Sequence, residues 1–164
     1  MGFLAAASVV SLAHHLAMLW VGMEATTPSV APLVFLRRDR RPLEATWKYL
    51  DVSSVGIALA LLGTFFLASA QGGGDLGHPL LLPDLIAHAR ELNPAWLRAA
   101  FLFLLVGFGT KMGLAPMHTW KPDAYGEAPS LVGGLMAGAL TSCAFLGVGR
   151  VTEVVAAAGL GSFA

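Results

Sequence analysis

From Val52 to Ala70, and again from Leu131 to Gly149, the chain runs without a charged residue for about the length that crosses a bilayer. This constrains the fold more than any other feature. In hydrocarbon no water reaches the backbone, so a spanning segment must satisfy its own N–H and C=O groups, as a helix or as a strand of a closed barrel. The runs are continuously apolar rather than alternating, which selects helices. Only 12% of the residues are charged, against about 25% in soluble domains. Together with 56% hydrophobic residues and a mean hydropathy of +0.70, this makes the chain an integral membrane protein that contacts the lipid bilayer. Zero net charge gives no reason to expect a nucleic-acid partner.

At about 20 residues per span, the apolar stretches predict an all-α, polytopic transmembrane bundle of about four full spans plus a partial N-terminal helix. The partial helix is Gly2 to Leu12, which reads as the tail of a longer one. Full spans are expected at Leu16 to Leu36, Glu44 to Ala70, Pro94 to His118 and Leu131 to Gly149. No basic segment precedes the first apolar stretch, which argues against a signal peptide. Gly56, Ala60 and Gly63, and likewise Gly134 and Gly138, are small residues at spacings that allow close helix contact. The glycine- and proline-rich segment from Ala70 to Asp84 reads as a loop. The cluster Arg37 to Arg41 places the adjoining turn on the cytoplasmic side of a cell membrane. Lys121 to Glu127 is expected on that side too, with Gly72 to Leu92 opposite.

The third span ends in Gly107, Gly109, Gly113 and Pro116, which predict a discontinuity near residues 107–116. Broken transmembrane helices expose backbone groups where ions or protons bind, and they survive only when buried or lining a cavity. Lys111 lies in this stretch. A lysine at mid-bilayer costs roughly 2.5–3.5 kcal/mol even on lenient scales. Glu24 in the first full span is the natural partner, because two opposite charges offset part of each other's desolvation. A buried lysine also loses its proton more readily, as a relay requires. Lys48, early in the second full span, either extends this polar series or snorkels to the interface. His118 follows Lys111 by about two turns, so a continuous helix would put both on nearly one face and let the imidazole pass protons.

The remaining ionisable residues offer no chemistry of their own. His14, His15, His78 and His88 lack metal-ligand spacing and read as loop or interface residues. Cys143, the single cysteine, reads as a small core residue. No phosphate-binding loop, nucleophile elbow or HExxH is present, so no catalytic residue, metal or cofactor is expected.

The stretches LWVGMEATTPSVAPLVFLRRDRRPLEATWKYL and GTKMGLAPMHTWKPDAYGEAPSLVGGLMAG are similar, in order and separation, to the antiporter-like subunits of respiratory complex I and membrane-bound hydrogenases. Within that family the chain most resembles component F of the hydrogenase-4 or formate hydrogenlyase type. The resemblance implies that residues 1–164 form part of a proton-translocating domain, matching the end of the family's fourth helix and its fifth to eighth. Glu24 falls on the glutamate of the fifth helix, Lys48 on the lysine of the sixth, and Lys111 on the central lysine of the discontinuous seventh. His118, Trp120, Pro122 and Asp123 match the H-x-W-x-P-D motif that follows. By resemblance, Glu24 and Lys111 form the pair that gates the lysine's protonation, and Lys48 continues the polar axis.

The chain departs from the family pattern at several positions. Ala137 and Ser142 stand where the eighth helix carries a histidine or lysine, Lys121 stands where leucine is common, and Asp51 replaces an apolar residue within a turn of Lys48. The implied function is proton translocation by a subunit without a redox centre, in a hydrogenase or NADH/quinone-type oxidoreductase complex. Its partners are then the other membrane subunits, and its location a bacterial or archaeal inner membrane. A sodium/proton antiporter subunit and a non-transporting membrane scaffold are the alternatives.

Overall fold

A computed structural model describes residues 1–37, 40–72 and 80–161. Arg38 and Asp39 of the arginine cluster, and residues 73–79 of the expected loop with His78, lie outside the described residues. Among the described residues there is no β-strand. The helices are α1 (Gly2–Leu12), α2 (Leu16–Val34), α3 (Arg40–Ala70), α4 (Leu82–Ala87), α5 (Pro94–Met112), α6 (Trp120–Glu127), α7 (Ser130–Leu135) and α8 (Thr141–Ala157). A π-helical turn, Met136–Leu140, joins α7 and α8 into one rod. Three helices are long and apolar enough to cross a membrane: Arg40–Ala70, Pro94–Met112 and Ser130–Ala157. α2 has 19 residues, about 28 Å of rise, but Glu24, Thr26, Thr27, Pro28 and Ser29 dilute its apolar character.

α3 and α5 pack antiparallel at very short range, and the small residues of α3 make this possible. A Cβ on Gly56 would meet Thr110 Cβ at 2.6 Å, and one on Gly63 would meet the Leu104 backbone nitrogen at 2.9 Å. From the other side, a Cβ on Gly107 would come within 2.6 Å of the Ala60 nitrogen and 2.7 Å of the Gly56 carbonyl. Gly134 and Gly138 play no such part, since nothing lies within 4 Å of a Cβ on either. The close glycine of the last rod is Gly147, set against Phe108 and Leu19.

Both ends of the bundle are fixed by specific contacts. At one end, Leu16 N–H donates to Leu80 C=O, Leu82 N–H to His14 C=O and Asn93 N–H to Ala70 C=O. At the other, Trp120 on α6 packs on Tyr49 of α3 with ring centroids 5.1 Å apart. His14 and His15 therefore occupy the turn expected of them, and the His15 ring caps α2 by accepting from Ala17 N–H at 3.1 Å.

The larger differences from the expected spans are at three boundaries. α3 begins at Arg40 rather than Glu44. The third span ends at Met112 and not His118, because Gly113 takes a left-handed conformation (φ 80°) that terminates the helix. The last span runs past Gly149 to Ala157. Arg150 does not end it, because its guanidinium is occupied by the C-terminal carbonyls of α1: it donates to Ala13, to Ser11 at 2.9 Å and to Val10 at 3.3 Å.

Candidate functional site

The core is divided. One apolar cluster includes Met23, Ile57, Phe108 and Cys143. The other includes Val30, Tyr49, Trp120 and Leu140. Along every long helix a polar residue lies at the changeover: Thr27 on α2, Ser53 on α3, Lys111 on α5 and Thr141 after the π-helical turn. The bundle thus carries a polar layer between two apolar halves. Cys143 belongs to one half as a small buried residue.

Lys111 is 0% exposed and sits in the last turn of α5. Gly56, which touches Thr110, is close to the middle of α3, so α5 stops about halfway along its neighbour. A cation at this point is favoured by the negative end of the α5 dipole. Three groups satisfy the carbonyls that the break exposes. Leu114 N–H donates to Gly109 C=O at 2.9 Å. The Trp120 indole Nε1–H donates to Thr110 C=O at 3.0 Å. Lys121 Nζ donates to Met112 C=O at 2.8 Å and lies 5.5 Å from the Tyr125 ring centroid. The break is therefore a built feature and costs no unpaired carbonyl at these positions.

Gly107 and Gly109, grouped with the break from the sequence, belong instead to the continuous part of α5; Gly113 and Pro116 mark the interruption. The Ala115–Pro116 peptide is cis.

The Lys111 ammonium donates to Thr27 Oγ1 and stands 5.8 Å from the Tyr49 ring centroid. Glu24 is half-buried, and its Oε2 is buried without a hydrogen-bond partner. No direct ion pair joins Glu24 to Lys111, the described ion pairs being those of Lys48. The two charges nevertheless act on one another through space. Beside them α2 loses a rung of its ladder, since Pro28 has no N–H to offer the Glu24 carbonyl. The Tyr49 hydroxyl faces Thr27 and Ser53, and both it and Ser53 Oγ are buried without a well-formed hydrogen bond.

Lys48 does not join this group. Its side chain is 49% exposed and pairs at 2.9 Å with Glu44, one turn back, and at 2.9 Å with Asp123 of α6. It ties the start of α3 to α6, whereas Asp51, expected within reach of it, is exposed elsewhere on α3. His118 is also exposed, and because α5 ends before it, the shared-face relation to Lys111 does not arise. The imidazole instead lines a cleft of about 480 Å³ at the break, with Gly113, Ala115, Lys121, Pro122 and Tyr125. Among the described residues no group of histidine, cysteine, aspartate and glutamate side chains has metal-binding geometry. Thr27, Tyr49 and Ser53 were not singled out from the sequence, where hydroxyl residues in an apolar helix carry no distinctive spacing.

The chain has known relatives. Residues 13–161 match the transmembrane family described as NADH:quinone oxidoreductase/Mrp antiporter. The hydrogenase-4 component F homolog of Methylacidiphilum infernorum is 34% identical over 146 residues, covering 88% of this chain and 31% of the relative. NADH-quinone oxidoreductase subunit N of Methylococcus capsulatus is 39% identical over 125 residues, 75% of this chain and 24% of the relative. The chain thus spans less than a third of the length of these curated relatives. Among solved structures, respiratory complex I from Thermus thermophilus with bound aureothin superposes with a TM-score of 0.76 at 28% identity, over 92% of this chain and 32% of that one. An archaeal membrane-bound sulfane sulfur reductase shares the fold, with a TM-score of 0.84 at 22% identity over 93% of this chain and 30% of that one. With nearly its whole length matched and its helices arranged as in such a complex, the chain belongs to the NADH:quinone oxidoreductase/Mrp antiporter transmembrane family.

Proposed function

We propose that this chain carries protons across the membrane through Lys111, under the control of Glu24, as part of a subunit without redox chemistry in a hydrogenase or NADH/quinone-type oxidoreductase complex. The supporting observation is a lysine with no exposed surface, at the end of a helix that stops halfway along its neighbour, with a hydroxyl rather than a carboxylate as its direct partner. A purely structural cation gains most from a close ion pair with further hydrogen bonds. Lys111 lacks that close pair, so its neutral form is not heavily penalised and proton release is within reach. Glu24, acting through space, biases the lysine toward its charged form when ionised and releases that bias when protonated. The cleft at the break supplies the route of access to the α5 terminus, with His118 on its wall. The other membrane subunits of the complex are the partners, and the inner membrane of a bacterium or archaeon is the location.

The test belongs in the complex that contains the full-length subunit. Lys111→Ala is expected to depress proton uptake into reconstituted vesicles while electron transfer continues, because the side chain handles protons and no electrons. Lys111→Arg is expected to fail nearly as badly, since arginine keeps the charge but does not release its proton in a protein. Glu24→Gln is expected to reduce uptake by removing the field on the lysine. Normal pumping by a well-assembled Lys111→Arg complex overturns the proposal and makes the lysine a scaffold.

A further inference from the structure

A carboxylate 3 or 4 residues away along a helix lies on the same face, and Thr27 stands in that relation to Glu24 on α2. Thr27 is 2% exposed and Lys111 is 0% exposed, and the ammonium donates to the threonine Oγ1. Glu24 itself makes no such contact. The groups of the layer that act on Lys111 are Glu24 and Thr27 from α2 and Tyr49 from α3, while α6 brings the non-titrating Trp120, whose ring centroid lies 5.1 Å from that of Tyr49. Of these, only Thr27 is within hydrogen-bonding distance of the ammonium.

The hydroxyl has a second valence to use. In accepting from Lys111, the threonine oxygen keeps its own O–H as a donor. The neighbouring Thr26 and Ser29 spend theirs on helix carbonyls, of Met23 at 2.6 Å and Ala25 at 2.7 Å. Thr27 makes no such bond to its own helix. Its hydroxyl instead faces the Tyr49 hydroxyl, which is buried without a well-formed hydrogen bond.

We propose that Thr27 is the positioning residue of the lysine: in place of a direct ion pair, it holds the ammonium against α2, the helix that also carries Glu24. The proposal rests on the reading of Lys111 as the proton carrier. It assigns to Thr27 a role that neither a charge nor a motif marks in the sequence. Thr27 keeps its own proton throughout; its role is to fix where the ammonium stands.

Two substitutions separate hydroxyl from shape. Thr27→Val keeps the branched outline and removes the oxygen; Thr27→Ser keeps the oxygen and removes a methyl group. In the assembled complex, the rate of proton uptake is expected to fall roughly tenfold or more in Thr27→Val, the rate equivalent of one hydrogen bond to a charged group. Electron transfer is expected to continue, and Thr27→Ser to restore pumping to near the parent level. A packing role gives the reverse order, with valine tolerated and serine impaired, and that order overturns the proposal. So does unchanged pumping in Thr27→Val. If the valine variant does not assemble, Thr27→Ala decides in the same way: retained pumping overturns the proposal and lost pumping with serine rescue supports it. Lys111→Ala run in parallel distinguishes the two levels. If it pumps normally, the proton-carrier reading falls and this proposal with it; if it fails to pump while Thr27→Val pumps normally, only the role of Thr27 falls.

Discussion

Lys121 illustrates what a helix that stops inside a bundle requires of single residues. Resemblance marks this position as one where leucine is common, and the structure gives the lysine a specific task. Its ammonium takes up the Met112 carbonyl, the last of α5, at 2.8 Å, and adds a positive charge at the negative end of the helix dipole. Its stem fills the space beside Gly113, where a Cβ would meet Lys121 Cδ at 2.5 Å. Leucine would fill that space and leave the carbonyl without its partner. Lys121→Leu is therefore expected to destabilise the subunit by about 1–2 kcal/mol, the cost of one buried acceptor losing a charged donor. Thermal unfolding in detergent measures this, and an unchanged midpoint would mean that the carbonyl finds another donor. Lys48 makes the complementary point. Two carboxylates hold it at a half-exposed position at the start of α3, the placement of a lysine that snorkels to the interface.

At the scale of elements, the same residue type does opposite things depending on what faces it. Gly107 meets the backbone of α3 at distances no Cβ tolerates, whereas Gly134 meets nothing. Gly107→Ala is expected to push α5 from α3 and cost roughly 1–3 kcal/mol, as overpacking does. Gly134→Ala is expected to be neutral or to stabilise the rod by up to about 1 kcal/mol through helix propensity. Side-by-side denaturation of the two variants checks the pair, and equal effects would mean that α3 and α5 are not in close contact in the membrane. This is also where the sequence was legible and where it was not. The small residues of α3 identified a contact face because they recur one turn apart within an apolar run. Gly134 and Gly138 have the same spacing and do not pack, since spacing says which residues share a face and nothing about what covers it. Gly113 and Pro116 announced an interruption, but its position depends on one left-handed residue and on donors from Trp120 and Lys121, which come from beyond the helix. The polar layer was half visible: charges in apolar runs stand out, while Thr27, Tyr49 and Ser53 are ordinary tenants of transmembrane helices until the fold brings them to one depth.

For the whole molecule, the arrangement fixes which ends lie together and leaves the side to charge. The Lys48–Asp123 pair and the Tyr49–Trp120 stack bring the start of α3 and α6 to one end. The bonds from Leu16 to Leu80, Leu82 to His14 and Asn93 to Ala70 gather the opposite connections at the other. Arg37, Arg40 and Arg41 adjoin the first end together with Lys48 and Lys121, whereas the described residues of the second end carry Arg90, Arg98 and Arg150. Basic residues flanking spans are retained on the cytoplasmic side, so the α6 end should face the cytoplasm, and with it the cleft that holds His118. The prediction is checked by cysteine labelling in the intact complex, with Cys143→Ala as background. Gly126→Cys, on α6 with nothing within 4 Å of its Cβ, is expected to react only from the cytoplasmic side; Gly72→Cys, just past α3 and also with open space around its Cβ though its φ of 76° strains a side chain, only from the opposite side. Labelling of both from one side would contradict the helix arrangement itself. Labelling from opposite sides in the reverse sense would keep the fold but, under the proposed function, turn the cleft at the break from the protons' entrance into their exit.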